Sequence, residues 1–229
     1  MAVLAWDQEG QKLYETGTDR GVLYLSSATG YAAGVAWNGL TKVTESPDGA
    51  EESPLYADNS KYLGLMSAEN FKGTIEAYTY PDEFAEADGS VEAAPGVSVA
   101  MQTRKPFAFA YRTLLGNDKL YNDYGYKLHL IWGAKVSPSE RGYETVNDSP
   151  SALTFSWKFT TTPVDIPGFK KSATLVIDSS KVDPAKLKTL EDTLYGTADK
   201  EPAMPTPAEV IAMFPASTGD TGSGTTTNP

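Results

Sequence analysis

The sequence predicts a mainly β fold, an antiparallel β-sandwich or distorted barrel flanked by one α-helix, with a long early loop and a flexible C-terminal tail. Three observations predict it. Apolar residues alternate with period two in segment after segment, one stretch carries the start, stripe and stop signals of an amphipathic helix, and the 229 residues include 13 Tyr. Aromatics of that abundance suit a half-buried pleated surface, and a chain of this length is a soft prior for one domain or two small ones.

The early strand candidates are Gly21 to Ser26 and Tyr31 to Val43, with Gly21, Gly30 and Gly34 as turn or bulge positions. Phe71 to Thr79 follows, with Phe71, Gly73, Ile75 and Ala77 on one face. Phe107, Phe109 and Tyr111 alternate with Ala108, Ala110 and Arg112; Leu153, Phe155, Trp157 and Phe159 alternate with Thr154, Ser156, Lys158 and Thr160; Ala173, Leu175 and Ile177 continue the pattern. Such alternation marks antiparallel sheet with one buried face. Phe107–Leu115 and Tyr126–Val136 read as a hairpin with an extended tip, bounded by Gly116-Asn117-Asp118 and Asp123-Tyr124-Gly125.

The signed helix begins at Asp183 as N-cap with Pro184 in the first turn, buries a stripe of Leu187, Leu190 and Leu194, and ends at Gly196. A shorter helix opens on the capping box Thr206-Pro207-Ala208-Glu209 and stops at Pro215. The chain therefore divides into a β domain over residues 1–200, a C-terminal arm with the short helix over 201–215, and a low-complexity, disordered tail over 216–229. No internal repeat is visible. Thr44 to Asn70 has no clear period and reads as a long loop. Loops of that length inside compact domains are functional, disordered or a mistaken assignment, and both an assembly loop that orders against a neighbour and an ordinary mobile loop fit.

Chemistry-bearing motifs are few. There is no Cys, which excludes disulfides and thiolate chemistry, and there is a single His, His129. A Ser–His–Asp triad could be built only around that residue. It lies in Tyr126-Lys127-Leu128-His129-Leu130-Ile131-Trp132, where Leu128, Leu130 and Trp132 share one face and Lys127 and His129 the other, so it is expected on a polar surface. The carboxylates of Pro81-Asp82-Glu83-Phe84-Ala85-Glu86-Ala87-Asp88-Gly89 do not have calcium-loop spacing and are expected to form a solvated acidic loop. The glycines form neither a GxxxxGK[ST] nor a GxGxxG unit. The expectation is a protein without catalytic residues, metal or cofactor. A start of MAVLAWDQEG lacks a signal-peptide pattern, and no apolar run is long enough to span a bilayer, so the chain is expected to be made in the cytoplasm and kept soluble. The net charge of −11 leaves no basic stripe for nucleic acid.

Read in order, the segments Trp37-Asn38-Gly39-Leu40-Thr41, Glu45-Ser46-Pro47-Asp48-Gly49-Ala50-Glu51, Leu55-Tyr56-Ala57-Asp58-Asn59, Thr74-Ile75-Glu76-Ala77-Tyr78, Tyr80-Pro81-Asp82-Glu83-Phe84, Tyr111-Arg112-Thr113, Gly116-Asn117-Asp118, Gly125-Tyr126-Lys127-Leu128-His129-Leu130, Pro138-Ser139-Glu140 and Asn147-Asp148-Ser149-Pro150 form a series. The series resembles the major tail protein, or tail tube protein, of bacteriophages with long non-contractile tails, particularly those of Gram-positive hosts. It spans roughly residues 20 to 195, and its specificity lies in the order of the pieces. The resemblance implies a virion protein whose β-sandwich or barrel subunits form hexameric rings that stack into a hollow tube, through which the genome passes without specific binding. It implies no catalysis, cofactor or membrane, and other tail proteins as partners: tape measure, tail terminator and distal tail protein. It places the ring-stacking loop at Thr44–Asn70, with Ser46, Asp48, Glu51, Glu52, Tyr56 and Asp58 as candidate contact residues. Stacking chains of like charge is expected to be favoured by salt, and an acidic bore would offer DNA no phosphate contacts to break. The alternatives are a β-sandwich binding module such as an adhesin or receptor-binding protein, with Leu120-Tyr121-Asn122-Asp123-Tyr124 against glycans, a carboxylate-dependent hydrolase, and another virion shell component.

Overall fold

The computed structural model describes residues 3–146, 148 and 151–214. The expected tail over 216–229 lies outside the described residues. Thirteen strands and three helices are formed among those described. The main strands are β1 (Tyr14–Ser27), β2 (Gly30–Tyr31), β3 (Val35–Trp37), β4 (Leu40–Glu45), β7 (Lys72–Ala77), β10 (Phe107–Asn117), β11 (Tyr121–Val136), β12 (Phe155–Thr161) and β13 (Thr174–Asp178). They make one antiparallel sheet in the order β2-β1-β10-β11-β12-β7-β4, with β3 beside β1 and β13 beside β11. Gly39, at φ +73°, turns β3 straight into β4, so one chain segment reaches both ends of the strand path and curls the sheet into a distorted barrel. That closing segment also packs tightly: a Cβ on Gly21 would stand 3.2 Å from Leu40 and 3.3 Å from Trp37.

Period-two alternation now sorts side chains into two cores. Phe107, Phe109 and Tyr111 point into the barrel, with Ile131, Trp157, Phe159, Ile75 and Trp37. Ala108 and Ala110 point outward, with Leu128, Leu130 and Trp132, under Leu187, Leu190 and Leu194 of α2 (Pro184–Tyr195) and Val210 of α3 (Pro207–Met213). The interior is an aromatic cluster with Trp37 and Phe84 centroids 4.5 Å apart and Phe84 and Trp157 5.2 Å apart, in the tilted and edge-on geometries that ring quadrupoles prefer. The Trp37 indole nitrogen donates to the Thr79 carbonyl, so its burial leaves no orphan donor.

Phe84 and Ala87 enter that core from α1 (Phe84–Asp88). This corrects the expectation of a solvated acidic loop at residues 81–89. The two apolar residues three positions apart share a helix face and seal the barrel, while Asp88 pairs with Arg141 and Glu86 with Lys105.

Both expected helices form with their expected caps. The Asp183 carboxylate accepts from the Ala185 and Lys186 amides, and Thr206 and Glu209 complete a reciprocal capping box. Residues 203–214 lie on the body: Trp132 donates its indole N–H to the Pro205 carbonyl, and the buried Tyr24 hydroxyl donates to the Leu194 carbonyl at the end of α2. The hairpin β10–β11 is longer than expected. Its strands continue through Gly116–Asn117 and Tyr121–Gly125, leaving Asp118-Lys119-Leu120 as the turn.

Leu190 joins the sheet to the helix layer and is wholly buried. Leu190→Ala is expected to lower the unfolding free energy by about 2–5 kcal/mol, read from the midpoint of a urea titration at unchanged slope.

Candidate functional site

The segment between β4 and β7 is not the structureless loop that its sequence suggests. It forms a two-stranded arm, β5 (Glu52–Ala57) and β6 (Ser60–Met66), which pair with one another and with nothing else in the sheet. Asp58 and Asn59 both take positive φ, 48° and 59°, the primed-turn geometry that matches strand twist in a two-residue hairpin loop. The local signal was present: Leu55-Tyr56-Ala57 and Lys61-Tyr62-Leu63 flank an Asp-Asn pair. Pro54 and Gly64, both depleted in strands, obscured it. They sit opposite one another in the register. Gly64 carries no side chain because the Glu52 carboxylate lies across it to reach Lys61 at 2.5 Å; a Cβ there would stand 1.7 Å from the Glu52 oxygen.

The six candidate residues distribute along this arm. Ser46 and Asp48 form its base, where the Ser46 amide donates to Lys72, Asp48 and Asn70 form a bridge, and Asp48 pairs with Lys72. The Glu51 amide donates to the Ser67 hydroxyl. Glu52 makes the ion pair just described. Tyr56 and Asp58 lie near and at the tip, with Tyr56 72% exposed. Sequence reasoning missed the apolar residues of the arm. Leu55, Leu63 and Leu65 share one of its faces, and these three, Tyr62 and Met66 are all exposed. A second hairpin, β8 (Val91–Ala94) and β9 (Val97–Val99), also pairs only with itself and exposes Val91, Val97 and Val99.

Isolated two-stranded hairpins are marginal in water, and their open edges and apolar faces are templates for association. These two arms have the chemistry of contact surfaces. Tyr121 and Tyr124, weighed above as glycan contacts, are strand residues at the start of β11, and the Tyr14 hydroxyl donates to Asn122 between them.

A polar cluster holds the base of the larger arm to the barrel. His129 is buried, contrary to its expected place on a surface, because β11 is covered on both faces and the face it shares with Ile131 turns into the barrel mouth. Its ring stacks on Tyr111 at 4.5 Å and 9°. Nδ1 stands 3.3 Å from Glu45 Oε1, and Nε2 stands 3.0 Å from the Thr113 hydroxyl. Thr113 gives its one proton to Glu15 at 2.5 Å, so Nε2 of His129 is the donor toward Thr113. Tyr111 donates to Glu45 at 2.7 Å, and Lys127 contacts Glu15 at 2.6 Å. The cluster ties β1, β4, β10 and β11 together one residue before the arm departs at Ser46. Among the described residues, no three His, Asp or Glu side chains stand close enough to share a metal ion, and no helix is long and apolar enough to cross a membrane.

No protein-family model and no curated protein matches the chain. Among solved structures, it is similar to a chain of the sheath–tube complex of an extracellular contractile injection system (PVC) in its extended state, at 9% identity over 69% of this chain and 88% of that chain, with a TM-score of 0.30.

The His129 imidazole 3.3 Å away, with help from the Tyr111 hydroxyl, holds the Glu45 carboxyl below its ordinary value of 4.5 against the upward push of burial. Burial pushes Glu15 up, but Lys127 and Thr113 outweigh it and leave that carboxyl low as well. A lowered folded value means stability that is present above pH 4.5 and is lost as pH falls through the lower folded values. Glu45→Gln should therefore reduce stability at neutral pH and flatten the fall in melting temperature below pH 4.5, followed by calorimetry across an acid series.

Proposed function

We propose that this chain is the structural subunit of a bacteriophage tail tube, assembling into hexameric rings that stack into a conduit for the genome, and that it has no catalytic activity. The observation that carries the reading is the β5–β6 arm. It leaves the barrel between β4 and β7, in the place where the resemblance puts a ring-joining loop, and it exposes apolar side chains on both of its faces. A subunit that remained alone would gain nothing from a hairpin whose leucines and tyrosines face water. In a closed stack, each arm meets a neighbour and its open edges are covered, because a symmetric ring repeats the same complementary contact until no free copy is left.

The acidic character of the arm suits a reversible contact. Residues 46–70 contain Asp48, Glu51, Glu52, Asp58 and Glu69 against Lys61 alone. Like charge disfavours premature pairing of arms in dilute solution, and apolar burial dominates once neighbouring contacts are made cooperatively. The polar cluster at Glu45 would fix the direction in which the arm leaves the barrel, so that identical subunits present it at identical angles.

Negative-stain electron microscopy of the concentrated protein, alone and with tail-tip proteins as nucleator, is expected to show hollow tubes of uniform width. Replacing Ser53–Leu65 by a short Gly-Ser turn keeps the Asp48–Asn70 bridge. It should leave the melting temperature within a few degrees and abolish tubes. Normal tubes from that variant would remove the arm from the stacking role, and uniform compact monomers from the parent chain under nucleation would remove the tube.

A further inference from the structure

β13 has one open edge. The Trp132 amide donates to the Ala173 carbonyl and the Ser179 amide to the Tyr126 carbonyl, so residues 173, 175, 177 and 179 bond toward β11, and the backbone groups of Thr174, Val176 and Asp178 point away from it. Ser172 caps Thr174 on both its amide and its carbonyl, and the Asp178 carbonyl accepts from Lys181. The N–H and C=O of Val176 and the N–H of Asp178 remain open to a partner.

Beside this edge lies an apolar groove of about 270 Å³ between β13 and α3, floored by Leu175 and Ile177 and walled by Val182, Val210, Ile211 and Phe214. Its only charged lining residues, Asp178 and Lys181, pair with one another at 3.2 Å. An open strand edge beside an apolar groove is the arrangement that accepts an extended peptide: backbone bonds hold it, and every second side chain enters the groove.

The same chain carries a fitting peptide that covers nothing of its own. Residues 9–12 are fastened to the β10–β11 turn: the Gly10 amide donates to Asp118, Asn117 donates to the Gly10 carbonyl, and Lys119 pairs with Glu9. Residues 3–8 run on from there, with Val3, Leu4 and Trp6 at 92%, 76% and 77% exposure. In an extended strand Leu4 and Trp6 fall on one side and Val3 and Ala5 on the other. Of the lysines between residues 170 and 188, Lys171, Lys181 and Lys188 pair with Asp165, Asp178 and Asp192, which leaves Lys170 and Lys186 without an ion pair among the described residues, and the arm carries Asp7 directly after Trp6. The segment after Phe214, which also begins at the groove, is a poor occupant, since beyond Ala216 it contains only polar residues, Gly and Pro.

We infer that the β13 edge and its groove receive the N-terminal arm of a second copy of this chain, with Val3–Trp6 added as a strand and Leu4 and Trp6 seated against Ile211 and Phe214. The six residues beyond the anchored segment reach about 20 Å, enough to leave one subunit and lie along the next. This contact is separate from the β5–β6 arm and stands whether or not the chain forms tubes.

Two measurements on the full chain test it. A synthetic peptide of residues 1–10, titrated into isotope-labelled protein, is expected to shift the amide resonances of Thr174–Asp178 and Val210–Phe214. Val176→Pro removes an N–H that points outward and so spares the fold; it should weaken the peptide at least tenfold, as should Leu4→Asp within the peptide. Shifts confined to other residues, or none at millimolar peptide, would overturn the site. The second measurement uses the absence of cysteine. Mixed and oxidised, the single variants Ala5→Cys and Val176→Cys, whose side chains share the face turned away from the groove, should form the mixed disulfide dimer several-fold above either like pair. If instead the double variant closes only on itself and the mixture yields no excess of mixed dimer, the arm belongs to its own chain and the second-copy assignment fails.

Discussion

The structure depends on the burial of β10 and β11 from both sides. Ordinary antiparallel sheet has one dry face, but here the Ala108–Ala110 face lies under α2 and α3 while Phe107, Phe109 and Tyr111 fill the barrel. Small residues on the helix side let the helices approach, and rings on the barrel side fill the wider space, which is the complementarity that close packing requires. Every other element is placed relative to this hairpin. β1 lies along one side of it, β12 and β13 share the other, and β7 and β4 carry the sheet round from β12. The split of one edge of β11 between two partners is also what leaves β13 with an open side.

Much of this was legible in the sequence where one physical signal acted alone. Asp183-Pro184 and Thr206 to Glu209 are local cap chemistry, and both helices begin where those residues place them. Gly73, Ile75 and Ala77 alternate into the core as expected. Failures came where two signals overlapped. His129 shares a strand face with Lys127, and nothing local says that the barrel mouth reaches it; its partners Glu45 and Glu15 come from strands 84 and 114 positions away in the chain. Phe84 was hidden among carboxylates, whose charge outweighed two apolar residues in a five-residue helix. The β5–β6 arm was hidden by Pro54 and Gly64, and its apolar residues went unassigned because an exposed hairpin has no buried face to impose a period. Its existence as a hairpin was missed, and the expectation of a contact region at 44–70 rests on resemblance alone.

The exposed surfaces share a design. Each is a strand or near-strand whose backbone is only half satisfied and whose apolar side chains face water: β5–β6, β8–β9, the open edge of β13 and the arm at Val3–Trp6. A monomeric protein usually blunts such edges with charge, proline or a covering loop. This chain uses charge in that way, with carboxylates crowding the β5–β6 arm, but leaves the apolar groups in place. Such charge would slow unproductive pairing between copies, and the apolar groups would remain open to a partner of matching geometry, as proposed.

A subunit with several such edges faces a conflict between solubility and association, and the two kinds of surface resolve it differently. The β5–β6 arm is acidic and paired internally, so a contact between copies there, as proposed, would form against repulsion and would depend on many copies acting together. The β13 groove is apolar, and its two charged lining residues, Asp178 and Lys181, pair with one another, so the proposed contact there would form without repulsion. If both proposed contacts form, the groove contact carries the lesser repulsion and would form first, while the β5–β6 contact would wait on many copies acting together.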